Sequence, residues 1–384
     1  MTARGQALLA ISLAALLCGM SLGGRIFYLT ALFAVLALLF SLLSILFSRW
    51  KMRVHAFLSA PQVLRGETAH LTVTAGKRGL LPVYPLDVTV LCGDTQLTLT
   101  AQPSFLQEQS ISLPLPAQHV GLFSVGISEY VFYDVLGLFR ARVRCKKDSF
   151  SSLTVLPRPF DVEELHFLPG DDGRALPNRT AEDLSSPEDT RPYRRGDSLK
   201  RVHWKISARK RELIVRRFET PAPPDTLVLL DCSQPGDETD SADSRLTLRD
   251  ALCETALSVV SMQLKTQSPV RMPLYGTHSQ EFHSSQAEDL PHLQEMLSCQ
   301  PFMGGVEFDR VLRMELRRMR QTGATVIITA QLNAAIVEGV KHIRQMGPGA
   351  RVYLITRTPD SENDRPYVAQ LQQCLVEVCY VTPA

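Results

Sequence analysis

The chain lacks the cysteine spacings that indicate a disulfide framework or a zinc site. Its 384 residues include eight cysteines, none in a CxxC pair, and all but Cys18 lie outside the apolar N-terminal segment. Disulfide-rich domains and structural zinc sites use cysteines at paired spacings. The pattern therefore argues against both and favours a reducing compartment.

The chain also lacks the short motifs of common enzymes and of nucleic-acid-binding modules. It has no GxSxG sequence, and GDSLKR (residues 196–201) lacks the glycines and the Gly-Lys-Ser/Thr ending of a phosphate-binding loop. No RRM, KH, zinc-finger or helix-turn-helix pattern is present, which argues against a nucleic-acid partner. We therefore expect a protein without enzymatic activity and without a cofactor.

Long apolar runs are confined to the first fifty residues. Ile26–Phe47 has 22 residues without a charge, which makes about 33 Å of helix, enough to cross a bilayer. Ala7–Leu22 is shorter, with 16 residues. Only a tight turn fits between the two runs. Residues 1–53 therefore predict a transmembrane helical hairpin.

The charges that flank these runs predict an orientation. Arg4 precedes the first run, Arg25 alone lies between the runs, and the second run is followed by Arg49, Lys51 and Arg53. Basic residues favour the cytoplasmic side. We expect both ends of the hairpin, and the soluble domains, on the cytoplasmic side of an inner membrane. The alternative is a cleaved signal peptide followed by one anchor, but no small-x-small cleavage site lies close behind the first run.

Residues 54–158 predict a β-rich domain. Apolar residues occupy every second position in AHLTVTA, LDVTVL, TQLTLTA and SISLPL, and turn residues separate these stretches. About seven such strands in a hundred residues are typical of an immunoglobulin-like β-sandwich. Within DVLGLF, Asp134 and Gly137 predict a turn between two strands.

Residues 223–384 predict an α/β domain of the Rossmann type. Leu227–Leu230 is a buried strand, and further apolar strands alternate with helices expected over 246–265, 287–298, 308–321, 333–345 and 367–375. Such alternation predicts a parallel sheet covered by helices on both faces. Ligands bind beyond the carboxyl ends of such strands, where Asp231 and Thr329 lie.

Residues 159–222 form a basic segment between these domains. From Thr190 to Arg217 the chain has 11 Lys and Arg but only two acids, although its net charge is +2. Three interpretations stay open. Trp204 packs on the sheet and the charges form a solvated face; or the segment docks an acidic protein surface; or it contacts anionic lipid headgroups.

The motifs of this segment resemble the bacterial family catalogued as domain of unknown function 58. DVLGLF (residues 134–139) and the paired apolar runs also resemble that family. The resemblance implies a membrane-anchored protein with a von Willebrand factor A-like domain, associated with MoxR-type AAA+ ATPases. The signature residues that carry it, and that we expect to bind a partner, are Arg191, Tyr193, Gly196, Asp197, Arg201, Trp204, Ala208, Arg209 and Glu219.

The resemblance also implies where a divalent cation would bind. A functional A-type domain supplies Asp-x-Ser-x-Ser from one loop, a Thr from a second and an Asp from a third. Here Asp231 and Ser233 are followed by Pro235 in place of the second serine, while Val306 and Ala330 replace the Thr and the last Asp. Magnesium requires several oxygen ligands. We therefore expect no metal, with Asp231 and Ser233 as remnants of a degenerate site.

These observations favour a non-enzymatic, membrane-tethered adaptor that binds an AAA+ ATPase or another membrane complex subunit. Two alternatives stay open. One is a hydrolase or transferase that uses Asp231, Ser233 and His203 at the strand ends. The other is a divalent-cation-dependent binding module that uses Asp231, Ser233 and Asp309.

Overall fold

The structure is a computed structural model of the chain. It describes residues 1–77, 85–93, 95–102, 108–146, 150–162, 187–193, 202–218, 225–236, 240–276, 279–302, 306–319, 322–359 and 361–383, with the backbone alone at 77, 187–191 and 216–218. The chain divides into two compact units, Met1–Pro157 and Arg158–Ala384. Each unit is described by itself.

Two helices begin the first unit, as the apolar runs predict. Helix α1 spans Ala3–Leu22 and helix α2 spans Arg25–Lys51. Both are long and apolar enough to cross a membrane by length and composition. Thr2 caps α1, because its hydroxyl accepts a hydrogen bond from the Gly5 amide at 3.3 Å. A left-handed Gly23 ends α1 and leads into the second helix.

One antiparallel sheet and one mostly antiparallel sheet follow these helices. Sheet one has the order β1-β3-β6, and sheet two has the order β2-β9-β7-β4-β5, with β8 beside β7. The strands are β1 Met52–Leu58, β2 Gln62–Leu64, β3 Thr68–Lys77, β4 Leu86–Cys92, β5 Thr95–Ala101, β6 Gln109–Pro116, β7 Gly121–Tyr133, β8 Arg140–Arg144 and β9 Ser151–Leu156. The one parallel pair among these described strands is β2 with β9.

The two sheets share one apolar core, as expected for a β-rich domain. Alternate residues of β3 (Leu71, Val73) and β4 (Val88, Val90) are buried in it, which matches the period of two read from the sequence. Ile45 of α2 belongs to the same core. The described residues contain nine strands rather than about seven. One that the pattern did not indicate is β2, which has three residues and no apolar alternation of its own. Whether the sheets have immunoglobulin topology stays a prediction.

The second unit contains two sheets. A two-stranded ribbon pairs β10 with β11, and a six-stranded sheet has the order β14-β13-β12-β15-β16-β17. The strands are β10 Pro187–Pro192, β11 Ile214–Phe218, β12 Asp225–Leu230, β13 Val270–Leu274, β14 Gln280–Ser284, β15 Thr322–Thr329, β16 Gly349–Ile355 and β17 Glu377–Val381. The helices are α3 Trp204–Lys210, α4 Ala242–Lys265, α5 Leu290–Cys299, α6 Phe308–Leu316, α7 Ala334–Gln345 and α8 Arg365–Gln373.

The six-stranded sheet is buried on both faces. Leu227 and Leu229 of β12 pack with α6, α7 and α8, whereas Val228 and Leu230 pack with α4 and α5 on the opposite face. The neighbours β13, β12, β15, β16 and β17 are parallel. The predicted parallel sheet between two helix layers is therefore confirmed for these five strands.

Two details of this sheet differ from the prediction. Strand β14 is antiparallel to β13 and forms an edge hairpin, which the polar sequence QEFHS did not indicate. Helix α6 ends at Leu316 rather than at residue 321. The following Arg317 and Arg318 belong to a turn, and the amide of Arg318 bonds to the carbonyl of Glu315 at 2.8 Å.

Candidate functional site

Asp231 follows β12 at the point where the strand order of the sheet reverses direction. Strand β13 lies on one side of β12 and β15 on the other, and the loops after β12 and β15 diverge. Ligand sites of open α/β sheets form in the crevice at such a point. Thr329 ends β15 beside Asp231, so the sheet brings together two residues that are 98 positions apart.

The Asp231 carboxylate is buried and already engaged. Its Oδ2 accepts a hydrogen bond from Thr329 Oγ1 at 2.7 Å. Its Oδ1 accepts from the Ser233 amide at 3.0 Å and from the Ser233 hydroxyl at 2.5 Å. Burial of a carboxylate is costly unless such donors satisfy it. These bonds explain how Asp231 is held at the strand end, 2% exposed.

The residues around Asp231 fit a resident divalent cation poorly. Thr329 contributes a hydroxyl that was not among the cation ligands expected from the sequence. Asp231 supplies the one carboxylate of this group, and both of its oxygens already accept hydrogen bonds. Asp309 is engaged elsewhere, by Arg313 at 2.5 Å on α6. No cluster of three His, Cys, Asp or Glu that suits a metal occurs within the described residues. Magnesium prefers a fuller oxygen shell.

The thiol and hydroxyl next to Asp231 are not arranged as nucleophiles. Burial, and then the Asp231 charge, raise the pKa of Cys232 to about 12, so this cysteine stays a thiol. The Ser233 hydroxyl bonds to Asp231. His203, which the enzyme alternative groups with Asp231 and Ser233, lies on another element, where its Nδ1 accepts from the Ile206 amide at 3.4 Å and caps α3. No hydrogen bond joins His203 to Ser233 in the described parts of the chain, although a nucleophile and its base need that contact.

The basic segment forms a short helix against the β10–β11 ribbon. The Ser207 hydroxyl accepts a hydrogen bond from the Ile214 amide at 2.9 Å and fixes the inner side of α3 to β11. Val202, Ile214 and Val215 are buried beneath the helix. At its C-terminal end Arg211 is left-handed, with φ of 55°. The buried side of α3 is therefore small and specific.

The outer side of α3 carries an exposed tryptophan among cations. Trp204, Lys205, Ala208 and Arg209 of α3 are all exposed, whereas Ser207 is buried. The interpretation in which Trp204 packs on the sheet is wrong, since this side chain is 63% exposed. We call these four residues the α3 face. Within the described residues no ion pair engages its two cations.

The remaining signature residues are only partly visible. Tyr193 is half-buried, and its amide donates to the Leu213 carbonyl at 2.8 Å. The backbone of Arg191 pairs with Val215 in the ribbon. Four of the predicted residues lie outside the described residues: Gly196, Asp197, Arg201 and Glu219.

A buried charge cluster beneath α6 was not anticipated from the sequence. Glu315 is fully buried and contacts Arg271 at 2.8 Å and Arg318 at 3.2 Å, and it accepts a hydrogen bond from the Tyr275 hydroxyl. Burial and the bond to Glu315 raise the pKa of Tyr275 to about 12. Burial opposes ionisation of Glu315, but the hydrogen bond from Tyr275 and the charge of Arg271 outweigh it and lower the pKa of Glu315. The cluster fastens α6 to β13.

A family model matches part of the second unit. Residues 189–365 match the family described as "Protein of unknown function DUF58". The match includes α3, Asp231 and Thr329, and it supports the resemblance found in the sequence. No match was found among curated proteins.

Three solved structures show a distant likeness to this chain. The CARDB domain of a Pyrococcus furiosus protein, solved with di-metal ions, is 14% identical over 27% of this chain and 87% of that chain, with a TM-score of 0.20. Spo0M, a sporulation control protein from Bacillus subtilis, is 16% identical over 27% of this chain and 49% of its own, with a TM-score of 0.17. Cwp6 from Clostridium difficile is 10% identical over 86% of this chain and 53% of its own, with a TM-score of 0.20. TM-scores this low are not evidence of a shared fold or function.

Proposed function

We propose that this chain is a membrane-anchored, non-enzymatic adaptor whose second unit binds a protein partner. The observation that carries the proposal is the α3 face, where exposed Trp204 begins a helix that also exposes the cations Lys205 and Arg209. Tryptophan and arginine are enriched among the residues that dominate protein–protein binding energy. A tryptophan with this exposure has no role in the core of its own unit.

The charge of the α3 face indicates the chemistry of the partner. Lys205 and Arg209 have no carboxylate partner within the described residues, and Lys210 and Arg211 extend the same positive surface. Opposite charges steer association and fix the register of an interface. The proposed partner therefore has an acidic surface with an apolar pocket, and the family resemblance points to a MoxR-type AAA+ ATPase or another membrane complex subunit.

The proposed anchor is the hairpin of α1 and α2. Both helices have the length and composition of membrane spans, and the basic residues outside their ends favour an inner-membrane protein with cytoplasmic domains. The sheet order around Asp231 supports a von Willebrand factor A-like domain as the binding head. In this proposal its strand-end carboxylate is structural, because Thr329 and Ser233 already satisfy it.

Recovery of the partner by the full chain tests the proposal. The wild-type protein, solubilised in mild detergent from its host, should recover an ATPase or a membrane subunit. Trp204→Ala with Arg209→Glu should weaken that recovery, since loss of a central tryptophan costs about 2 kcal/mol, or roughly thirtyfold in affinity.

Two variants elsewhere in the second unit are matched controls. Met346→Ala removes another exposed apolar side chain, and Lys265→Glu reverses another exposed cation. Both should keep the partner. The proposal fails if the wild type is recovered alone across mild detergents and nucleotide states, or if the α3 variant keeps its partner as well as the controls do.

A cation-dependent binding module or an enzyme at Asp231 is the second candidate. The observation in its favour is that Asp231, Ser233 and Thr329 meet at the switch point of the sheet. Millimolar magnesium or manganese should then raise the melting temperature of the wild type, and Asp231→Ala should abolish that rise. An adaptor with a structural Asp231 shows no such rise, and Asp231→Ala lowers its stability without loss of the partner.

A further inference from the structure

The turn between β7 and β8 is a preformed loop with an apolar tip. The Asp134 carboxylate is 3% exposed and accepts hydrogen bonds from the amides of Leu136 at 3.1 Å and Phe139 at 2.7 Å. Gly137 adopts a φ of 67°, which favours glycine. Inside this fixed frame the two tip residues point outward, with Val135 40% and Leu136 46% exposed. We call residues 134–139 the 134–139 turn.

Hydrogen bonds tie the 134–139 turn to both N-terminal helices. The Thr2 amide donates to the Leu138 carbonyl at 2.9 Å, and the Thr2 hydroxyl donates to the Gly137 carbonyl at 2.7 Å. The Ser41 hydroxyl of α2 donates to Asp134. A Cβ at Gly5 would lie 2.4 Å from the Leu138 oxygen, so only glycine permits this approach.

These contacts place the turn at one end of the helical hairpin. Near the link between the helices, Gly19 of α1 packs against the ring of Tyr28 of α2. Seventeen residues further from the link, α1 reaches Thr2 and α2 reaches Ile45, so Thr2 lies at the end of the hairpin opposite to the link. The 20 residues of α1 make about 30 Å of helix, the thickness of the hydrocarbon core of a bilayer. If α1 spans that core, Thr2 and the turn bound to it lie at its boundary.

The helix ends on this side of the hairpin carry residues that suit the headgroup layer of a membrane. Arg4 lies over Gly137, with its Nη1 3.7 Å from where a Cβ would stand. At the end of α2, Lys51 lies over the Phe47 ring at 4.6 Å, and Trp50 is 91% exposed. Tryptophan and basic side chains concentrate at membrane interfaces, and basic ones attract anionic lipid.

We propose that the 134–139 turn is a membrane-contacting element that inserts Val135 and Leu136 into the headgroup layer of an anionic bilayer. The bonds from Thr2 and Ser41 hold it at that depth. The sheets of the first unit then lie against the lipid surface in a fixed orientation relative to the membrane. This inference rests on the proposed function only in that α1 and α2 span the membrane. The occupant is lipid rather than a protein because the turn is hydrogen-bonded to both of those helices.

Tryptophan fluorescence of the full chain tests the contact. The chain has two tryptophans, and both are exposed. The double substitution Trp50→Phe and Trp204→Phe therefore removes the native tryptophan emission without a change in the core. Leu136→Trp is added to that background, and the protein is reconstituted into vesicles of equal phosphatidylcholine and phosphatidylglycerol, with or without brominated phosphatidylcholine. The new tryptophan should emit at shorter wavelength, and bromolipid should quench it about twofold, as expected for an interfacial tryptophan.

Leu122→Trp in the same background is the matched control. Leu122 is 60% exposed on the same strand β7, but roughly 35 Å from the turn at 3.3 Å per residue, and it should stay unquenched. Equal quenching of the two variants, or none at residue 136, overturns the inference. A blue-shifted but unquenched Leu136→Trp means that protein rather than lipid covers the turn, which also overturns it.

Alkaline carbonate extraction separates this inference from the proposed anchor. Protein that resists extraction but shows no quenching at residue 136 retains the anchor and loses only the lipid contact of the turn. Protein that carbonate removes from the vesicles lacks both the membrane anchor and the lipid contact of the turn.

Discussion

Glu315 keeps its charge in a place that water does not reach. Its side chain is fully buried, yet Arg271 and Arg318 lie within ion-pair distance and the Tyr275 hydroxyl donates to it. An isolated buried carboxylate would instead take up a proton. Because Arg271 also contacts Asp225 and Glu281, the charge of Glu315 holds together side chains from β12, β13, β14 and α6.

Glu315→Gln should lower the stability of the protein at neutral pH. The amide cannot match the charged hydrogen bonds, so we expect a loss of about 2 kcal/mol, seen as a lower melting temperature of the full chain in detergent. The pKa of Glu315 is lowered from 4.5. Its contribution is therefore complete above pH 4.5 and is lost as the pH falls through the lower value of the folded state. The gap between wild type and variant should close over that acidic range.

Glu288→Gln is the control for this experiment. Glu288 is exposed in the single 3-10 turn before α5, so its replacement should leave the melting temperature nearly unchanged at every pH. A gap between wild type and Glu315→Gln that stays constant or widens below pH 4.5 would show that Glu315 does not act through its charge.

Single residues were predicted from the sequence with uneven success. Asp231 was identified at a strand end because it follows an apolar run, and in the structure it follows β12, where Ser233 and Thr329 donate to it. The sequence left open whether Trp204 packs on the sheet or is exposed to a partner, since one short helix gives no period that separates its inner side from its outer side. Arg318 is three positions from Glu315, but Arg271 and Tyr275 come from β13 and the residue after it, and no local spacing in the sequence connects these two to Glu315.

At the scale of elements, the end of α8 stores backbone strain. Leu375 follows α8 with φ of 58°, a left-handed conformation that costs a side-chain-bearing residue about 1 kcal/mol. It is also 69% exposed, so its side chain contributes little packing. Leu375→Gly should relieve the strain and raise stability by about 0.5–1 kcal/mol, measured as a higher melting temperature.

Leu375→Ala distinguishes two possible causes of a gain in stability: relief of backbone strain and removal of an exposed leucine side chain. Alanine removes the same apolar surface but keeps a Cβ, so this variant should gain no stability. If alanine stabilises as much as glycine, exposure of the leucine rather than the left-handed backbone is the cause.

The elements themselves were mostly predictable, and the failures have physical reasons. Helix α7 was expected over 333–345 and spans Ala334–Gln345, because Asn333 is a strong N-cap whose Oδ1 accepts from the Ile336 amide at 2.8 Å. Strand β14 was missed because its pattern is polar apart from buried Phe282. Its position is set by pairing with β13, a contact that local periodicity does not encode.

At the scale of the whole molecule, the two units present different chemistry. The first unit exposes apolar side chains along α1 and α2, such as Leu22 and Phe33, as lipid-facing helices do. The second unit exposes the cationic α3 face. In the proposed orientation both the sheets of the first unit and the second unit lie in the cytoplasm, and only the link between the two helices reaches the other side.

Labelling of Cys299 by a membrane-impermeant maleimide tests that orientation. Cys299 is exposed at the end of α5, so it should react in inside-out vesicles and stay unlabelled in right-side-out vesicles. The labelling that is lost in Cys299→Ser is the part due to Cys299. Leu22→Cys, added to Cys299→Ser, places a thiol at the exposed end of α1 and should show the reverse pattern. Reaction of Cys299 in sealed right-side-out vesicles would place the second unit outside the cell, where a cytoplasmic ATPase cannot reach the α3 face.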